Sequence, residues 1–411
     1  MLRKFPNNFF WGSATSAHQV EGGNVKNDWY QFEKAGFVKN GEVSGVACDH
    51  YNLYKNDFST AKSLNQNCQR ISIEWSRIEP ALGEFDVNEI QHYRDVLLEL
   101  KKLGMTSFVT LHHFTNPIWF SDLGGWVNNE SSEYFEEFVY KIILELGSLI
   151  DFWITVNEPT LYLGHSYIKG DRPPRKRNII LAYKATQNYI KAHKKAYTAI
   201  HKSFPEAKVG IANNFIKYGI PYIPYIPILN PVLNTFSYFW NFYFLDKINK
   251  YQDFIGVNYY TSTRFMQVDL GKRKKADGDE EEISKKLNRG FKIYPEGIYY
   301  ILMRVWRKYR KPIYVTENGL PDCKDKIRQY YIASHLDYIH QAMVKGADVR
   351  GYIHWALLDN FEWNHGFGPR FGLCEVDYET LERKPRESAK YYSEICRTGV
   401  LKNGYKFRTI R

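Results

Sequence analysis

Cysteine is scarce in this chain: Cys48, Cys68, Cys323, Cys374 and Cys396 are spread over 411 residues, an odd number with no Cys-x-x-Cys pair. That excludes a disulfide scaffold and a paired-cysteine zinc site, and it fits a reducing compartment. No RNP, zinc-finger or P-loop pattern is present, so nucleic acid is not an expected partner. The opening MLRKFPNNFFWGS has a basic start but lacks the apolar run of a signal peptide, so the expected location is the cytoplasm. No internal repeat, long linker or metal-ligand spacing appears, and no metal or cofactor is expected.

What the chain does have is an ordinary globular composition, 44% hydrophobic and 25% charged. One domain over residues 1–411 is expected, since α/β barrels run long. Lysine and arginine number 56 against 45 acids, a net charge of +11. The charge is scattered. Its densest basic runs are 272–275, beside an acidic run at 277–282, and the tail 397–411. These read as solvated loops and a terminus.

Eight short runs rich in β-branched or aromatic residues recur along the chain, at 9–14, 68–73, 107–111, 152–156, 209–212, 254–257, 313–316 and 352–355. Helical spacing of apolar residues appears between several of them, at 90–103, 133–146, 179–202 and 328–345. Eight strands alternating with helices predict a single (β/α)8 barrel. An open doubly wound sheet is disfavoured, because no G-x-G-x-x-G turn follows the first strand.

A barrel of this kind carries its site at the C-terminal ends of its strands. Polar residues cluster there: His18 and Gln19, Arg77, His112 and His113, Asn157 and Glu158, Asn213 and Asn214, Asn258 and Tyr260, Glu317 and Asn318, and Trp355 with Glu362 and Trp363. Glu158 and Glu317 would face one mouth. Two carboxylates across a pocket suit glycoside hydrolysis, one protonating the leaving oxygen and the other attacking the anomeric carbon or activating water.

Eight segments in order carry a resemblance: FFWGSATSAHQVEG, ISIEWSRIEP, TLHHFTNPIWF, TVNEP, IGVNYY, YVTENG, HWALLDNFEW and RFGLCEVDYETLERKPRESAKYY. With these the chain resembles glycoside hydrolase family 1, the β-glucosidase and β-galactosidase family, as a shortened member. The resemblance implies a (β/α)8 barrel that cleaves β-glycosides with retention. It makes Glu158 the acid/base and Glu317 the nucleophile. It places Arg77 and Tyr260 against the nucleophile, with Asn258 in the same cluster. Gln19, His113, Asn157, Glu362 and Trp363 would hold the sugar, over Trp355 as a floor and beside Phe371 as a wall. His112 is expected to be structural and His18 to support Gln19. Retention requires carboxyl groups about 5–5.5 Å apart.

Relatives that act on 6-phosphoglycosides lack the Glu-Trp pair, so Glu362-Trp363 implies unphosphorylated glucosides, galactosides or fucosides, as simple glycosides or oligosaccharides. Transglycosylation, or sugar binding without turnover, remains the alternative. Thr160 and Phe114 depart from the aromatic residue and the tryptophan common at these positions, which bears on the leaving-group side. Residues 218–245, YGIPYIPYIPILNPVLNTFSYFWNFYFL, contain no charge. Prolines argue against a transmembrane helix there. The remaining readings are a buried loop with a helix from about Pro231, or an exposed aromatic patch including Trp240 and Phe244 that contacts another subunit or a membrane surface.

Overall fold

A computed structural model describes residues 2–218, 229–263 and 293–402. The runs at 272–275 and 277–282, residues 219–228 of the uncharged segment and the end of the basic tail from 403 lie outside the described residues.

The eight expected strands all form. They are β1 (Phe10–Ala14), β2 (Cys68–Ser72), β3 (Thr106–His112), β4 (Phe152–Asn157), β5 (Lys208–Asn214), β6 (Phe254–Asn258), β7 (Ile313–Asn318) and β8 (Val349–Trp355). Each pairs in parallel with its sequence neighbours, and β8 returns to β1 through the run Gly351↔Phe10 to Trp355↔Ala14, closing the barrel. Several strands run further than their apolar patterns. β3, β4, β5, β6 and β7 continue to His112, Asn157, Asn214, Asn258 and Asn318. An apolar pattern stops at such residues, yet here each side chain is buried and hydrogen-bonded, so the ladder continues through them.

Alternation along each strand sorts residues between lumen and helices. In β4, Phe152 and Ile154 join the lumen cluster while Trp153 packs outward, and an irregularity after Ile154 breaks the alternation so that Val156 joins the outer core as well. The lower lumen is filled by aromatic rings. Phe152 stacks on Phe108 at 4.2 Å and meets Tyr314 at 5.2 Å, Phe10 at 5.6 Å and Phe254 at 5.7 Å. The barrel is therefore solid beneath its C-terminal mouth, not a pore.

Helices cover the outside. Asp86 caps α1 (Val87–Lys102) by accepting from the Asn88 and Glu89 amides, and Ile90, Tyr93, Leu97 and Leu100 form its buried stripe. α2 (Ser131–Leu146) and α3 (Ile179–Ser203) follow, the latter capped by Asn178. In the uncharged segment the backbone forms α4 (Leu229–Asn241) and α5 (Tyr243–Ile248). No described helix is long and apolar enough to cross a membrane. The segment divides its side chains. Phe242, Phe244 and Leu245 are buried, whereas Phe236 and Phe239 are 53% and 54% exposed. Phe244 thus does not belong to an exposed patch, because its ring packs into the main core. α6 (Glu296–Tyr309), α7 (Arg328–Val344) and α8 (Glu387–Thr398) complete the wall. The two ends of the described chain meet where Arg3 and Lys4 pair with Leu401 and Val400.

Candidate active site

Glu158 follows β4 with a left-handed backbone (φ 45°), its amide bound to the Ala212 carbonyl at 2.7 Å. Its Oε1 accepts from Asn258 Nδ2 at 2.9 Å and Asn214 Nδ2 at 3.1 Å. Burial, reinforced by the negative charge of Glu317, pushes its pKa up to about 7, against the pull of those amides. Glu317 lies within β7 and is treated differently. Its Oε1 accepts from Arg70 Nη1 at 2.5 Å, and its Oε2 accepts from the Tyr260 hydroxyl at 2.5 Å. Burial and the adjacent carboxylate hold the Tyr260 hydroxyl well above its ordinary pKa, so it stays a donor. Glu317 therefore receives one cationic and one phenolic donor, whereas Glu158 receives only neutral amides.

The arginine against Glu317 is Arg70, and the expectation that Arg77 lies there is corrected. Arg77 sits on the short turn after β2 and points outward. It pairs with Glu21 at 3.0 Å and Glu89 at 3.3 Å, and also reaches the Gly22 carbonyl. Arg70 lies inside β2, two residues after the lumen-facing Cys68. Its guanidinium is fully buried and also donates to Asn157 Oδ1 at 2.7 Å, Thr316 O at 3.2 Å and Thr110 Oγ1 at 3.2 Å. A charged residue in lumen register within a barrel strand was the signal for it. Asn258 is corrected as well: its amide goes to Glu158 and Asn157, not to Glu317.

A cavity of about 270 Å³ opens over these groups. Both glutamates, Tyr260, Gln19, His113, Asn157, Trp355, Glu362, Trp363 and Phe371 line it. A wider recess of about 660 Å³ around Phe152 and Lys208 lies at the barrel's other end and holds neither glutamate. The Asn157 amide bonds His113 Nε2 at 3.1 Å. Burial and the Arg70 charge hold the His113 imidazole well below its ordinary pKa, so it is neutral. Trp355 Nε1 donates to Glu362 at 3.1 Å. Gly319 lies so close to the Trp355 carbonyl that a Cβ would collide with it, which locks the ends of β7 and β8 together. Burial pushes Glu362 up to about 8, with Trp355 opposing and Glu317 adding to the rise.

Gln19 accepts from Ser16 and donates to Asn360 Oδ1 at 2.9 Å and Phe361 O at 2.8 Å. His18 supports Trp363 rather than Gln19. Its ring stacks on that indole at 5.7 Å and 9° and pairs with Glu33 at 2.7 Å. His112 is outside the cavity, held by Asn116 and Tyr189. Arg172 also lines the cavity, and nothing in the sequence around it set it apart. Among the described residues, no group of three or more His, Cys, Asp or Glu side chains could hold a metal ion.

One carboxyl group tuned to keep its proton, facing another clasped by a cation, is equipment for acid-assisted cleavage of a glycosidic bond, and the protein is a glycoside hydrolase built on a (β/α)8 barrel. The model for glycosyl hydrolase family 1 matches residues 1–246 and 243–400. Beta-glucosidase A of Thermotoga maritima is 32% identical, with 98% of this chain and all of that enzyme covered. The alignment spans 448 residues, more than this chain's 411, so that enzyme carries stretches missing here. Beta-galactosidase of Pyrococcus woesei is also 32% identical, over 97% of this chain and 98% of its own. The solved beta-glycosidase from Pyrococcus horikoshii superposes with a TM-score of 0.86 at 37% identity, covering 98% of this chain and 97% of that one. The chain belongs to glycosyl hydrolase family 1.

Proposed function

We propose that this protein is a retaining β-glycosidase that removes unphosphorylated β-D-glucosyl, galactosyl or fucosyl units from the non-reducing end of glycosides. The observation that carries the reading is the unequal treatment of the two glutamates. Glu317, clasped by Arg70 and Tyr260, attacks the anomeric carbon. Glu158, with a pKa near 7, gives its proton to the departing oxygen. The bond to the leaving group breaks as the ester to Glu317 forms. Esterification removes the negative charge that adds to the effect of burial on the Glu158 pKa, and Glu158, having given up its proton, then takes one from water. Water displaces Glu317, and the β configuration is restored. A bound sugar analogue in a crystal should sit between carboxyl groups about 5–5.5 Å apart, and a spacing near 8 Å contradicts retention.

Glu362, held mostly protonated and bonded to Trp355, offers both a donor and an acceptor to neutral sugar hydroxyls. Solved complexes of the Thermotoga maritima β-glucosidase contain castanospermine and deoxynojirimycin, which supports a small sugar-like ligand here.

The test is a panel of nitrophenyl β-glycosides assayed with wild type, Glu158→Ala and Glu317→Ala, with and without azide. Azide should rescue the first variant to a β-glycosyl azide and the second to the α-anomer. The same anomer from both breaks the assignment. Clear preference for a 6-phosphoglucoside over the glucoside overturns the substrate class.

A further inference from the structure

An acid that protonates a leaving oxygen has two carboxyl oxygens on which to carry the proton, and only one can face that oxygen. In Glu158 the two are unlike. Oε1 accepts from Asn258 Nδ2 at 2.9 Å and Asn214 Nδ2 at 3.1 Å, which fills both of its lone-pair directions. Among the described residues no hydrogen bond reaches Oε2. This asymmetry lasts only while each amide keeps its nitrogen toward Glu158. A turned amide would present its oxygen and draw the proton to Oε1.

Asn258 is oriented from the side of the nucleophile. Arg70 can only donate, so Asn157 turns its Oδ1 to it at 2.7 Å, and Asn258 meets that same oxygen with Nδ2 at 3.2 Å. Thr316 Oγ1 donates to Asn258 Oδ1 at 2.7 Å. Asn214 is oriented from the uncharged segment. Trp240, near the end of α4, donates from its indole Nε1 to Asn214 Oδ1 at 3.4 Å. An indole has no acceptor, so it binds the amide in this orientation and not the reverse. Among the described residues nothing else donates to that oxygen. The indole is itself held. A Cβ on Gly164, in the helical turns after Glu158, would stand 3.4 Å from its ring. Its neighbour Asn241 accepts from the Ile216 amide at 2.9 Å and donates to the Ile216 carbonyl at 3.0 Å, which fastens the end of α4 to the chain leaving β5. We propose that Trp240 is a positioning residue that locks the Asn214 amide toward Glu158 Oε1 and so keeps the acid proton on Oε2. The proposal rests on the β-glycosidase reading and gives the uncharged segment a part in it.

The experiment compares wild type, Trp240→Phe, Asn214→Ala and the double variant on two substrates. Phenyl β-glucoside has a leaving group that needs a proton, whereas the leaving group of 2,4-dinitrophenyl β-glucoside departs as a stable anion. Trp240→Phe should lower kcat/KM on the phenyl glucoside about 3- to 10-fold and stay within about 2-fold of wild type on the dinitrophenyl glucoside. That parity also shows that the variant is folded. The alkaline limb of its pH profile should move up, because a turned amide accepts from the acid form and favours it. In the Asn214→Ala background the same substitution should add no further loss. An equal loss on both substrates, no loss on either, or a full additional loss in the Asn214→Ala background overturns the proposal. Wild type inert on both substrates overturns the β-glycosidase reading and the proposal with it, an outcome distinct from any confined to the variants.

Discussion

At the scale of single residues, the chemistry divides between a proton and a charge. The protonation of Glu158 predicts a pH dependence with a definite sign. The proposed acid role requires its protonated form, so kcat/KM should fall as pH rises through about 7. Replacing Glu317 by Gln removes a charge that raises that pKa. Carbon-13 NMR of labelled Glu158 should then titrate lower than in wild type, and an unchanged value would disconnect the two groups. Arg70→Met should cost roughly 100-fold or more in kcat, since it strips the cation from Glu317. Arg77→Met should leave the chemistry nearly intact and show itself in stability, its partners being Glu21 and Glu89. This pair also marks where the sequence misleads. Looking just past strand ends finds Glu158, His113 and Tyr260, because the mouth is built there. It cannot find Arg70, which reaches the mouth from within a strand, nor Arg172, whose place on the cavity wall depends on a loop fold that no periodicity reports.

At the scale of elements, all eight barrel strands are visible as short apolar or aromatic runs, because burial on both faces demands them. Their ends are not visible, because amide side chains such as Asn157 and Asn258 continue the ladder only once their partners converge from distant strands. The uncharged segment shows the same limit: composition announces an unusual helix but not which rings turn inward. The aromatic filling of the lumen is a structural element in its own right. Phe152→Ala should open a cavity there and cost about 3–5 kcal/mol, measured by urea unfolding. The folded fraction should keep its kcat/KM, since the filling lies below the reacting groups. A large activity loss without destabilisation would contradict that separation.

At the scale of the whole molecule, several buried acids set the pH response of stability. Burial raises Glu158 and Glu79 to about 7 and Glu362 to about 8. The folded state therefore holds protons that the unfolded chain releases, and stability falls as pH rises toward 8. Buried His112 and His193, lowered to about 4, act with the opposite sign, but only below about 6.5. Melting temperatures should therefore decline between about pH 6.5 and 8, with a shallower decline in Glu362→Gln. The plugged barrel has a last consequence for traffic. With Phe108, Phe152, Phe254 and Tyr314 closing the rear among the described residues, the proposed retaining reaction would have the glycoside enter, its leaving group depart, water arrive and the free sugar escape by the same mouth. Under that proposal arrivals and departures queue, and a lingering first product blocks the water that should follow it.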